Sequence, residues 1–183
     1  MTPRGTLLRI SSLGALLGYA ALAQGSPVPE VPDSIKAPQG ERLVLVTHAS
    51  GSQIYVCTGP ADGKPQWTLK APDAELRDEH GKVIIHHSAG PTWQHRDGSA
   101  VTGKAAAQAA SPEADSIPWL LLHAVGHQGS GVLTHVTSIQ RIHTRGGQAP
   151  PAVQCDVSRL NAETRVPYTA DYYFYVPTRS PAQ

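Results

Sequence analysis

The sequence predicts an all-β fold, a single-domain antiparallel β-barrel or β-sandwich of about eight to ten short strands with at most one short helix. Three observations lead there. Gly and Pro are abundant, at 17 and 16 of 183 residues, while Phe and Met occur once each. Short β-branched runs recur along the chain, a composition that suits a pleated, half-buried surface better than a helical bundle. Turn residues punctuate those runs, including Asp62-Gly63 and Asp97-Gly98, among the strongest short-range hairpin dipeptides.

The elements follow in order. Pro27, Pro29, Pro32 and Pro38 forbid regular helix over residues 26–40 and predict an extended leader. Residues 43–47 and 53–57 read as the two arms of a hairpin around an Ala49-Ser50-Gly51-Ser52 turn. Residues 67–69 continue as a strand after Asp62-Gly63. Residues 76–78 and 83–86 flank a turn at Glu79-His80-Gly81, and residues 92–95 and 99–102 flank Asp97-Gly98. Residues 104–116 are Ala-rich but bounded by Gly103 and Pro112, and read as loop or a single turn of helix. Residues 118–125 form a continuous apolar run, either a strand buried on both faces or a short buried helix. Residues 132–143 read as the longest strand, and residues 170–176 as an aromatic-rich last strand.

The N-terminus reads as a secretory signal peptide over residues 1–23. Arg4 and Arg9 give a positive start, residues 10–22 are uncharged and mostly apolar, and Ala21-Leu22-Ala23 offers the small-x-small pattern a signal peptidase accepts. The apolar run falls short of the roughly 20 residues needed to span a bilayer. The expected organisation is therefore signal peptide 1–23, Pro-rich leader 24–41, β domain 42–177 and flexible tail 178–183. The mature chain is expected in the periplasm or outside the cell, soluble and with no membrane span. Without Arg4 and Arg9 the balance is 13 basic to 14 acidic residues, so no basic excess draws nucleic acid or an anionic membrane.

Two cysteines remain after cleavage, Cys57 and Cys155. In an oxidising compartment an even pair reads most simply as one disulfide, and their separation has no zinc-ribbon spacing. Closing a loop of about 100 residues stabilises by up to roughly 4.7 kcal/mol on the chain-entropy model.

Nine histidines lie in the mature chain, with His86, His87 and His95 around one hairpin and His123 and His127 four apart. Gly126 argues against the helix that would align the last two, and His-x-Glu-x-x-His spacing is absent. Scattered, solvated histidines are favoured over a metal centre, and no metal ligand is assigned. The glycines of residues 126–131 resemble a phosphate-cradling loop in composition only, since a β-branched segment follows where a helix is required. No nucleophile elbow or Ser-His-Asp set stands out, so no catalytic residue and no cofactor is implied.

The most specific stretch is His87-Ser88-Ala89-Gly90-Pro91-Thr92-Trp93, followed by Asp97-Gly98-Ser99. Gly90-Pro91 forces a corner, and Trp93 brings a large amphipathic face with one N–H donor. Trp67, Trp93 and Trp119 with Tyr55 and Tyr168 either line an apolar pocket or fill the interior. Arg141, on the same predicted strand face as His135 and His143, is a polar floor or, with Asp171, a structural ion pair.

These motifs, together with Gln53-Ile54-Tyr55-Val56-Cys57, Ile117-Pro118-Trp119-Leu120-Leu121-Leu122, Ile139-Gln140-Arg141 with Gly146-Gly147, and the residues 167–175 run, resemble an exported bacterial and fungal family. It is known as domain-of-unknown-function family 3455, and the resemblance covers roughly residues 28–176. It implies that Cys57 and Cys155 fall on the family's two cysteine positions, and that His87 is its His before Ala-Gly-Pro-Thr-Trp. The malate dehydrogenase label of some fungal members needs a dinucleotide fingerprint that this sequence lacks.

The functional expectation is a non-enzymatic, disulfide-stapled β domain that binds a small or surface-associated ligand in an aromatic-lined cavity. His87, Trp93, Asp97, Trp119 and Arg141 are the candidate ligand-binding residues. Two other readings are a secreted enzyme using His87 with Asp97 or Asp171 for acid–base chemistry, and a histidine-based metal-binding protein.

Overall fold

A computed structural model of the chain describes residues 28–59 and 63–178. The signal peptide expected over residues 1–23, residues 24–27, residues 60–62 with Asp62 of the expected Asp62-Gly63 turn, and residues 179–183 lie outside them. Eight strands form one closed up-and-down barrel: β1 (Glu41–Thr58), β2 (Gln66–Arg77), β3 (Val83–Ser88), β4 (Thr92–His95), β5 (Ala100–Ala109), β6 (Trp119–Gln128), β7 (Ser138–Gly146) and β8 (Glu163–Pro177). Each pairs antiparallel with the next, and β8 closes on β1 through a register running from Glu41–Pro177 to Val56–Glu163. Because β3 and β4 are short, residues 66–73 of β2 and 104–109 of β5 pair on one side only, and the wall between them is open.

Alternation along the strands sorts side chains into the lumen or onto the outer wall. Every strand contributes to the inner core: Ala49, Leu76, Ile85, Trp93, Val101, Leu122, Ile139, and from β8 Tyr168, Ala170, Tyr172, Phe174 and Val176. Leu133 and Val136, on the connection between β6 and β7, are fully buried and join the same core. A second, smaller core lies on the outer wall. There Ile35 is buried against Trp119, Leu121 and Ile142, with Val31, Ala107, Ala109 and Tyr173 packed around it.

The expected hairpin around Ala49-Ser50-Gly51-Ser52 does not form; the segment runs straight through β1. Its residues pair in continuous register with Leu76 to Asp73 on β2 and with Ala170 to Pro167 on β8. The physical reason is close packing, because a Cβ on Gly51 would overlap the backbone of Asp73 and Ala74. Small residues here mark a tight inter-strand approach rather than a turn.

The Ala-rich stretch is also strand, not helix. Lys104, Ala105, Ala107, Gln108 and Ala109 pair with residues 119–123 of β6. Ala107 and Ala109 lie under the leader, where short side chains leave room for Ile35. The leader is accordingly less extended than expected: Asp33–Ile35 makes a 3-10 turn that docks on the barrel. Residues 119–122 are strand, with Trp119 and Leu121 in the outer core and Leu120 and Leu122 against the inner one.

The strand expected over residues 132–143 begins at Ser138. Its register shifts between Ile142 and Arg145, and His143 takes a left-handed φ of 49°. The bulge turns His143 to the outer wall, so it does not share a face with Arg141. Pro167 is accommodated inside β8 because pairing with β7 ends at Gly146–Tyr168, before Pro167 would have to donate to that neighbour.

Cys57 and Cys155 form a disulfide with Cα atoms 5.4 Å apart. It joins the end of β1 to the long β7–β8 connection, and so pins that loop across the barrel end. No helix of the described residues is long and apolar enough to cross a membrane.

Candidate functional site

The β3–β4 hairpin builds the centre of the site. Gly90, at a φ of 127°, makes a corner that few residues other than glycine adopt, and the strands then pair His87 with Trp93. Both side chains enter the lumen, where their rings stack at 4.4 Å and 8°. Tyr172 of β8 meets both edge-on, 5.3 Å from His87 and 5.6 Å from Trp93. Arg141 arrives from β7 and Gln53 from β1. These five residues, with Leu69, Pro72, Leu120 and Leu122, line a cavity of about 360 Å³, toward the small end of ligand sites.

Hydrogen bonding fixes the state of His87. Its Nδ1 lies 3.0 Å from the Thr92 carbonyl oxygen, which can only accept, so Nδ1 carries the proton and donates. Burial lowers the imidazole pKa from 6.5 to about 3; the Thr92 bond opposes this and the Arg141 charge adds to it. His87 is therefore neutral, with the lone pair on Nε2. Burial also raises the Tyr172 phenol, despite the neighbouring Arg141 charge.

Arg141 Nη2 donates to the Pro118 carbonyl at 2.9 Å. Among the described residues it forms no ion pair, and no carboxylate lines the cavity. Six buried side-chain nitrogen or oxygen atoms of the described residues lack a hydrogen-bond partner. Three of these, Gln53 Nε2, Trp93 Nε1 and Arg141 Nε, belong to cavity-lining residues. Each is a donor.

Of the five residues singled out from sequence, His87, Trp93 and Arg141 come together. Asp97 and Trp119 do not. Asp97 sits in the β4–β5 turn, accepting from Ser99 N at 2.8 Å, Ser99 Oγ at 2.6 Å and Val132 N at 2.8 Å, with His95 Nδ1 at 3.0 Å. The Ser99 hydroxyl, with those backbone N–H groups, holds its carboxyl far below the usual carboxylate range. Its role is to tie the turn to the β6–β7 connection. Trp119 lies on the outer wall, edge-on to His143 at 5.3 Å. Asp171 also faces outward, between His48 Nδ1 at 2.6 Å and His143 Nδ1 at 2.8 Å. Neither aspartate is hydrogen-bonded or ion-paired to His87.

Of the other aromatics, Tyr55 and Tyr168 are buried, with Tyr55 donating to the Gly147 carbonyl at 2.7 Å; neither they nor Trp67 line the cavity. Gln53 and Tyr172 are the site residues that the sequence did not single out. Their signal was alternation: Tyr172 shares its strand face with Tyr168, Ala170 and Phe174, and Gln53 shares one with Ala49 and Gly51. Among the described residues no group of three or more His, Cys, Asp or Glu side chains is placed to hold a metal ion.

The family model described as "Protein of unknown function (DUF3455)" matches residues 38–176. The chain belongs to that family. No curated protein and no solved structure matches it. The DUF3455 span contains every lumen residue named above and both cysteines, and begins just after the 3-10 turn that carries Ile35.

Proposed function

We propose that this DUF3455 protein is an exported, soluble barrel that binds a small ligand in its lumen and does not transform it. One observation carries the reading: Gln53, His87, Trp93, Arg141 and Tyr172, brought from five different strands, meet around one cavity, and three of them keep a buried donor without a partner. Buried polar groups are otherwise almost always paired, and each orphan costs about 1–3 kcal/mol. Three of the six such atoms fall on residues of one hollow, which supports a role for it beyond simple filling.

The outer wall supports a water-facing barrel. It carries half-exposed pairs, Lys70 with Glu163, Arg77 with Glu75 and Arg165 with Asp73, where a membrane barrel requires an apolar band. The disulfide and the signal-like N-terminus support export. A non-catalytic role is supported by His87, whose basicity is suppressed by burial and which lacks an aspartate to orient it. His87 then acts as a stacked, neutral hydrogen-bonding wall.

The test is native mass spectrometry of untagged protein recovered from the periplasm or medium. The expected spectrum shows a small-molecule adduct that disappears in a Trp93→Ala, His87→Ala variant. An adduct that survives those substitutions, or protein that remains in the cytoplasm uncleaved, would refute the reading.

A further inference from the structure

Resting on that lumen reading, we infer that the ligand is a small organic carboxylate with an apolar body, held with its carboxylate toward Arg141. The unpartnered buried atoms of the lining residues are all of one kind. Gln53 Nε2, Trp93 Nε1 and Arg141 Nε are all unpartnered, and all are donors; indole and guanidinium nitrogens cannot accept at all. Those three nitrogens are sealed from solvent, so the donor open to a ligand is the rest of the half-buried Arg141 guanidinium, which suits a group that only accepts.

Charge points the same way. The cavity is lined by Arg141 and, at its rim, by Lys70, with no Asp or Glu. Lys70 is already paired with Glu163 on the outer wall, which leaves Arg141 as the cation without a counter-ion. A half-buried guanidinium lacking an anion takes a carboxylate or phosphate as its preferred partner. His87 does not compete for that anion, because it stays neutral. Its unprotonated Nε2 instead suits a hydroxyl elsewhere on the ligand.

Two features favour carboxylate over phosphate. A dianion would face a single unpaired charge, with none of the backbone N–H cradle or helix N-terminus that phosphate sites use. The remaining wall is apolar: Leu120, Leu122 and the stacked Trp93 ring demand a hydrocarbon body. A cavity of about 360 Å³ limits that body to a single ring or a short branched chain.

The experiment titrates the full mature protein with matched probes: benzoate and 4-methylpentanoate, their primary amides, the corresponding amines, and inorganic phosphate. Calorimetry gives affinity, and the Trp93 indole N–H resonance reports occupancy of the lumen. The expected result is that each carboxylate binds at least tenfold more tightly than its amide, with no binding of the amines. Arg141→Gln should erase the tenfold preference by weakening the acids more than the amides, with the Trp93 resonance still shifting at saturation. Amides or amines binding as well as the acids would overturn the carboxylate assignment and leave the lumen site standing, as would phosphate binding in preference to both acids. Failure of every probe to move the Trp93 resonance would instead overturn the lumen site itself.

Discussion

Gln140 and Arg141 are neighbours on β7, and they show what separates the two buried regions of this molecule. Gln140 faces the outer wall, where its Nε2 donates to the Ile35 carbonyl at 2.6 Å and its Oε1 accepts from Tyr175 at 2.6 Å. Arg141 faces the lumen with its Nε unpartnered and no carboxylate to balance its charge. The outer cluster is nearly self-satisfied, with the Trp119 N–H as its exception. One region uses polar groups to complete a contact between leader and barrel. The other leaves them open, and gives up stability in doing so, as the proposed ligand site requires.

The largest expected effect separates apolar filling from polar readiness. Trp93 is 1% exposed and touches His87, Tyr172 and Phe174. Its truncation to Ala should cost about 3–5 kcal/mol. Urea denaturation checks this; a loss below about 1 kcal/mol would mean that the lumen is loosely packed and that the aromatic stack does not organise the site.

Acid should act on the lumen through His87. The folded protein binds that proton with a pKa of about 3 against 6.5 in the unfolded chain. Between those values the unfolded chain takes up a proton that the fold refuses, so stability falls as pH drops from 6.5 toward 3 and is indifferent to this group above 6.5. By pH 4 the loss is on the order of 3 kcal/mol. Comparing denaturation of the native chain and His87→Gln at pH 7 and pH 4 isolates it, because the carboxylates titrate in both. The native chain should lose more; equal losses would show that His87 accepts its proton freely.

Much of this arrangement was legible in the sequence, and the exceptions have physical causes. Asp97-Gly98 and Glu79-His80-Gly81 announced their hairpins, and Gly90-Pro91 announced the corner that stacks His87 on Trp93. The Ala-rich stretch misled because alanine's intrinsic preference is helical, while here its small size is what matters under Ile35. Gly51 misled because a glycine needed for close strand approach looks like a turn glycine. Trp119 groups with Trp93 as a large aromatic, but composition does not say which core a residue joins, and Trp119 joins the outer one. Asp97 belongs to the motif that follows Trp93, but the tight turn points its carboxylate back to Ser99. His143 left the face of Arg141 through a bulge that no periodicity reveals.

The smallest expected effect is the most discriminating one. If the outer cluster is structural and the lumen is a site, the neighbours on β7 must respond oppositely to losing their polar ends. Gln140→Leu strands the Ile35 carbonyl and the Tyr175 hydroxyl in a buried setting, and should cost about 1–3 kcal/mol. Arg141→Met removes the hydrogen bond to Pro118 and the polar contact with Tyr172, but also a half-buried charge with no counter-ion. Those contributions oppose each other, so the net change should stay within about 1 kcal/mol and favour the variant as readily as the native chain. Paired urea titrations of the two variants decide between the roles. Should Arg141→Met lose as much stability as Gln140→Leu, Arg141 would be a structural tie like its neighbour, and the open donors of the lumen would need another reason to exist.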